Sequence, residues 1–221
     1  MAPSASRVPA SDAAARHTGR RYLSAMPHTL DLSAAVADAV ARYEAQADVV
    51  ALHTRLAELA DGADADALVA AAAPFTQLPE VAGPLYERVV QQRPHDARAL
   101  VILANAYWLH GRGPDVVGEL ATRAIAADAT NRGAWHLWAL AESDPRQRTA
   151  RWHQVTKRFP EDHLAKALLA DNAASLAGAE HDDEALVLAI ATYEELLAGA
   201  ERPEQRSALE HALNTLRGWK L

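Results

Sequence analysis

Residues 97–131, ARALVILANAYWLHGRGPDVVGELATRAIAADATN, contain two stretches with apolar residues at helical spacing. In the first stretch these residues stand on one face of a helix, at Leu100, Leu103, Ala104 and Tyr107. Gly111 follows that stretch and Pro114 begins the next, and these residue types commonly end and start helices. The segment therefore predicts two helices joined by a short turn.

The end of this helix pair recurs along the chain. Turn-like triplets stand at nearly even spacing, at 94–96, 129–131 and 160–162. This spacing is close to the period of roughly 34 residues that is typical of a repeated helix hairpin. We therefore predict four units, at 63–96, 97–131, 132–162 and 163–198.

Small residues stand where the two helices of a unit would meet, at Ala70, Ala82, Ala104, Ala124, Ala139 and Ala170. Together with Leu100 at the fourth position of its unit and Tyr107 at the eleventh, this pattern resembles the tetratricopeptide repeat family. The resemblance covers roughly residues 63–198, with one good unit and three degenerate ones. It implies antiparallel helix hairpins that stack into a superhelical solenoid.

The resemblance also implies a concave groove lined by the first helix of each unit. Carried onto this sequence, the groove positions are Arg98, Val101, Asn105, Trp108, Leu109, His136, Leu140 and Asp171. Such a mixture of aromatic, aliphatic and polar side chains suits an extended or helical peptide held by a few anchors. Family members that bind the C-terminal carboxylates of heat-shock chaperones have Lys at the position of Val101, so that use of the fold is not expected here.

The composition favours helices throughout the chain. There are 52 alanines and 27 leucines but only 3 isoleucines. Ala and Leu are strong helix formers, whereas strands are enriched in β-branched and aromatic residues. We therefore expect an all-α fold, with Trp135, Trp138 and Trp152 packed in its core.

We expect a helical repeat domain at 31–221 that follows a segment of different character. Residues 1–30 carry a charge of +3, whereas the rest of the chain carries −10. This Arg-rich, acid-poor start is typical of a disordered tail or a targeting tail, and a docking segment is a third possibility. Within the domain, 31–62 is expected to form one long helix or two with a soft kink, and helix 203–218 to cap the last hairpin.

Several classes of protein and partner are excluded or disfavoured by the sequence. The chain has no cysteine, which excludes disulfide frameworks and thiolate zinc sites. It has no run of 18 apolar residues that would cross a membrane. Its acidic body argues against nucleic acid as a partner. The basic patch at Arg146–Arg158 is interpreted as the solvated outer face of a packed helix, although an acidic partner or RNA could contact it.

Metal-binding and catalytic patterns are weak. The densest group of potential ligands is His181-Asp182-Asp183-Glu184. Acids gather in this way at the start of a helix, where the macrodipole favours negative charge. We therefore expect no catalytic residue, no metal and no cofactor.

The sequence thus predicts a non-enzymatic scaffold or adaptor that mediates protein–protein interaction. One alternative is a permanently docked structural subunit of a larger complex. Another is an enzyme or metal-binding subunit that uses the helical repeat as a frame and 181–184 as its site. We expect a cytoplasmic protein, with organelle targeting through residues 1–30 as the alternative.

Overall fold

The computed structural model describes residues 31–220, and the predicted tail at 1–30 lies outside this range. All regular secondary structure in the described range is helical. A short 3-10 turn spans Ala73–Phe75. The α-helices are α1 (Leu32–Gln46), α2 (Val49–Ala60), α3 (Ala65–Ala72), α4 (Pro79–Gln92), α5 (Ala97–Leu109), α6 (Pro114–Ala127), α7 (Arg132–Leu140), α8 (Pro145–Arg158), α9 (His163–Glu180), α10 (Asp183–Ala198) and α11 (Pro203–Arg217).

Consecutive helices pack against each other in hairpins, α1 with α2 through α9 with α10. The second helix of each hairpin also packs on the first helix of the next from α4 to α9, and α11 packs on α10. The first helices α5 and α7 touch as well. The predicted all-α architecture of stacked antiparallel hairpins is therefore confirmed for residues 31–220.

The first helix of each hairpin is preceded by an N-cap side chain that accepts a backbone N–H from the first turn. These N-caps are Asp31, Asp64, Asp96, Asn131 and Asp162. Asx side chains are strong N-caps because they satisfy an N–H that has no partner within the helix. The first helices consequently begin at nearly even spacing along the chain, at Leu32, Ala65, Ala97, Arg132 and His163.

The structure corrects the register of the unit at 63–96. Ala70 was expected to face the second helix of its hairpin, but it is exposed, whereas Ala71 and Ala72 are buried. The reason is the N-cap Asp64, because it starts the helix at Ala65. With this start, Ala72 rather than Ala70 lies on the buried face of α3. The other alanines predicted at helix contacts are buried.

The structure also corrects the expectation for 31–62, which is neither one helix nor a softly kinked pair. Ala47 adopts a left-handed conformation with φ of 55° and closes α1, and Asp48 caps α2 by accepting the N–H of Ala51 at 2.9 Å. These two residues reverse the chain, so α1 and α2 pack against each other. The division into front helices, repeats and a terminal cap stays a prediction.

The C-terminal helix α11 buries Leu213 and Leu216 and packs on α10. The Trp219 ring beyond it lies against Gly178 of α9, where a Cβ atom would stand 3.2 Å from two ring carbons. A larger residue at position 178 would therefore push the ring outward by a few tenths of an ångström. Within residues 31–220, no helix is long and apolar enough to cross a membrane.

Candidate functional site

The side chains predicted to line a groove on α5 lie on one face of that helix. Arg98, Val101, Asn105 and Trp108 follow one another at intervals of three or four positions, which places them on one side of an α-helix. Trp108 is 37% exposed and the neighbouring Leu109 55%. We refer to the predicted residues on α5 and α7 as the candidate groove: Arg98, Val101, Asn105, Trp108, Leu109, His136 and Leu140.

Helices α5 and α7 meet at a glycine that the sequence analysis did not single out. A Cβ atom at Gly133 would stand 3.3 Å from Cγ1 of Val101. The missing side chain therefore lets α5 approach the first turn of α7, one helical turn before His136. This contact brings the two halves of the candidate groove together. The only sign of this contact in the sequence is the glycine itself, which stands two residues after the Asn131 cap.

His136 belongs to a polar centre that joins α7 to the start of α9. Its Nε2 atom is 2.7 Å from Oδ2 of Asp162, and Nε of Arg132 lies 3.7 Å from the same oxygen. Asp162 is only 4% exposed and also accepts the N–H of Ala165 at 3.1 Å as the cap of α9. The His136 ring also contacts Trp152 edge-on, with centroids 5.4 Å apart. The centre therefore fixes the orientation of His136.

Asp162 is ionised at neutral pH in this environment. Burial raises the pKa of its carboxyl, but the hydrogen bonds from Ala165 and His136, with the charge of Arg132, lower it by more. The net result is a pKa below the usual value for aspartate. The carboxylate therefore acts as a fixed anion between α7 and α9.

Of the three tryptophans expected in the core, Trp152 is buried there, whereas Trp135 and Trp138 are half-buried at its edge. Trp152 is 1% exposed, and the half-buried Trp135 and Trp138 pack against the same cluster. The rings of Trp135 and Trp138 meet edge-on at 5.6 Å. Arg151 covers the Trp138 ring at 4.5 Å and pairs with Glu142 at 2.6 Å. These rings stabilise the α7–α8 hairpin.

Asp171 is the predicted groove residue on α9, where it is exposed. Its carboxylate accepts a hydrogen bond from the Tyr193 hydroxyl of α10. Burial and this carboxylate together raise the pKa of Tyr193. The side chain of Asp171 is thus engaged within the α9–α10 hairpin, and its role in ligand binding stays a prediction.

The basic patch on α8 is more than a solvated face, because two of its arginines contact the following hairpin. Arg146 pairs with Glu180 at 2.6 Å and with Asp182 at 2.7 Å. Arg148 donates to the side-chain oxygen of Asn172 at 2.8 Å. Acids from a distant part of the sequence therefore neutralise part of the patch, which leaves less charge for RNA or an acidic partner.

The cluster at 181–184 has the geometry of a helix start. Asp182 caps α10 by accepting the N–H of Ala185 at 2.9 Å, and this bond, together with Arg146, lowers its pKa. His181 ends α9 in a left-handed conformation with φ of 52°. Across residues 31–220, no three His, Asp or Glu side chains are grouped closely enough to bind a metal ion.

Solved structures resemble this arrangement of hairpins. Two crystal structures of MamA are 16% and 17% identical to the chain, with TM-scores of 0.52 and 0.54. They cover 69% and 78% of this chain, and 91% and 97% of their own. The structure of Pseudomonas aeruginosa pilF is 15% identical, covers 85% of this chain and 84% of its own, and has a TM-score of 0.56.

These likenesses show a tetratricopeptide-repeat-like solenoid, which confirms the fold expected from the sequence. No family model matches the chain, and no curated protein matches it in sequence. At such low identity the solved structures show the fold and do not carry over a partner.

Proposed function

We propose that this chain is a non-enzymatic scaffold that binds a segment of another protein in the candidate groove. The observation that carries the proposal is the exposed pair Trp108 and Leu109 at the end of α5. A contiguous exposed apolar patch commonly marks an interaction surface, whereas single exposed apolar side chains are ordinary. Aromatic anchors of this kind also supply much of the energy of protein–protein interfaces.

The surroundings of this pair support a binding surface. The contact of Val101 with Gly133 places α7 beside α5, so that Asn105 and His136 lie on adjoining helices next to the apolar pair. Apolar anchors with a few fixed polar groups are what peptide recognition requires. The polar centre at Asp162 orients His136 before any ligand binds, which reduces the entropy lost on binding.

Photo-crosslinking tests this proposal. We would replace Trp108 with p-benzoylphenylalanine in the full chain, irradiate it in a lysate of the native organism, and identify the products by mass spectrometry. Val187 on α10 is the matched control position, since it is an apolar residue that is 67% exposed. We expect a partner protein to be crosslinked from position 108 and not from position 187.

A separate measurement addresses the alternative of a permanently docked subunit. A subunit of that kind elutes from size-exclusion chromatography of the lysate only within a large complex, whereas an adaptor is also found as free chain. Equal crosslinking from positions 108 and 187, or none from position 108, would refute binding through the candidate groove.

A further inference from the structure

We infer that the candidate groove binds a protein segment with a carboxylate at one end and a large apolar anchor at the other. This inference rests on the proposed function, because it names the chemistry of the partner that the same groove binds. It follows from the charges on α5 and α7, the contacts of two arginines and the length of α5.

Helices α5 and α7 contain no acidic residue, although they belong to a domain in which acids exceed Lys and Arg by ten. Their charged side chains are Arg98 and Arg132. Asp162 is buried and already paired, and Asp96, the cap of α5, is half-buried and accepts the N–H of Ala99. An incoming carboxylate therefore meets no exposed anion on these two helices.

Both arginines keep hydrogen-bond donors for a ligand. The Arg132 side chain is 64% exposed, and its Nε atom is 3.7 Å from Asp162, which is beyond hydrogen-bond distance. Arg98 is exposed and has no ion-pair partner among residues 31–220. A guanidinium group has five N–H donors in a planar arrangement that matches a carboxylate. Each of these arginines can therefore bind an acidic side chain.

The groove has a direction because the two arginines and the apolar pair lie at opposite ends of the helices. Arg98 and Arg132 stand in the first turns of α5 and α7. Trp108 and Leu109 stand in the last turn of α5, and Leu140 ends α7. Consecutive first helices of a stack of hairpins run in the same direction, so both helices have this polarity.

The length of α5 sets the spacing in the partner. The rise from Arg98 to Trp108 corresponds to about 15 Å along the helix axis. An extended segment covers that distance in about five residues, and a helical segment in about ten. The partner therefore carries an acid at one of these two spacings from an aromatic or leucine side chain.

The chain's own residues 1–30 have the wrong charge for this surface. They carry four arginines and a single aspartate, which gives +3. Like charges across an interface oppose binding. We therefore assign the groove to a different protein with an acidic segment.

The probe for this inference is a library of random dodecapeptides, selected on the full chain by mRNA display. A selected peptide with a fluorescein label is then titrated, by fluorescence anisotropy, with the wild type, the R98Q/R132Q double variant and Trp108→Ala. Arg88→Gln is the matched control, since Arg88 is exposed on α4 and its side chain donates a hydrogen bond to Gln91 at 3.3 Å, outside the candidate groove.

We expect the selected peptides to be enriched in Asp and Glu at the stated spacing from Trp, Phe or Leu. We expect the double variant to weaken binding roughly 5- to 20-fold, and Arg88→Gln to leave it unchanged. Peptides that depend on Trp108 but not on the two arginines would overturn this inference and leave the proposed function standing. The absence of any peptide that depends on Trp108 would overturn both.

Discussion

Asp162 offers the most informative single perturbation, because its carboxylate serves two helices at once. It caps α9 through the N–H of Ala165 and contacts His136 of α7 at 2.7 Å. Asp162→Asn keeps an amide oxygen that can cap the helix but removes the charge, whereas Asp162→Ala removes both functions. The two variants therefore separate the cap from the contact with His136.

The expected losses follow from these contacts. An N-cap contributes about 1 kcal/mol to the free energy of unfolding, and a hydrogen bond to a charged group about 1.5–3 kcal/mol. We expect Asp162→Ala to cost roughly 2.5–4 kcal/mol and Asp162→Asn about 1 kcal/mol less. Asp96→Ala is the matched control, since Asp96 caps α5 through Ala99 at 3.0 Å and should lose about 1 kcal/mol.

Urea unfolding followed by far-UV circular dichroism measures these differences at pH 7. Because the folded state lowers the pKa of Asp162, its charge stabilises the fold above the unfolded pKa of about 3.9. That contribution disappears as the pH falls through the lower, folded pKa. The gap between wild type and Asp162→Asn should therefore close as the solution is acidified. If Asp162→Ala costs no more than Asp96→Ala at pH 7, our account of the polar centre is wrong.

Two further predictions test the packing of the repeat. Ala104→Leu should lower the free energy of unfolding by about 1–3 kcal/mol, because Ala104 is fully buried. Ala70→Leu, on the exposed face of α3, should change it by less than about 0.5 kcal/mol. Equal urea midpoints for the two variants would favour the register predicted from the sequence, in which Ala70 faces the second helix. Burial and the hydrogen bond to Glu87 raise the pKa of Tyr107 to about 12. An ultraviolet difference titration of the wild type against Tyr107→Phe should therefore show the Tyr107 hydroxyl ionising near pH 12. The stabilisation from the Tyr107–Glu87 hydrogen bond should be lost as the pH rises from 10 through 12. Ionisation of Tyr107 near pH 10 would contradict this contact.

The sequence predicted the repeat well where its signals are local. Leu100, Leu103, Ala104 and Tyr107 repeat a spacing that depends only on helix geometry, and the turns that follow depend on Gly, Pro and Asx residues. The even spacing of the hairpins was therefore visible without any knowledge of contacts. The same local spacing occurs in α1 at Val36, Ala39, Val40 and Tyr43.

Prediction failed where one residue decides the register. Because α3 starts directly after Asp64, Ala72 is buried and Ala70, the predicted packing residue, is exposed. Residues 70–73 are all alanine, so the sequence offers no pattern that distinguishes these positions. The sequence also gives no signal for the left-handed conformation of Ala47, since Ala disfavours that region and Gly or Asn would be expected there. These positions are set by packing of the whole hairpin.

The polar centre could not be predicted because it joins residues far apart in sequence. Asp162 contacts His136 of the preceding hairpin, and Arg146 reaches Glu180 of the following one. Each of these residues has an ordinary local explanation as a cap or as part of a solvated face. Their pairing becomes visible only when successive hairpins are stacked.

The most direct test of the proposed function is the affinity of the crosslinked partner for wild-type chain and for Trp108→Ala, measured by biolayer interferometry. Val187→Ala is the control variant, and thermal melting reports on the fold. We expect Trp108→Ala to raise the Kd at least about 30-fold, which corresponds to an interface anchor of about 2 kcal/mol, while its Tm stays close to that of the wild type. An unchanged Kd for Trp108→Ala would contradict binding through the candidate groove.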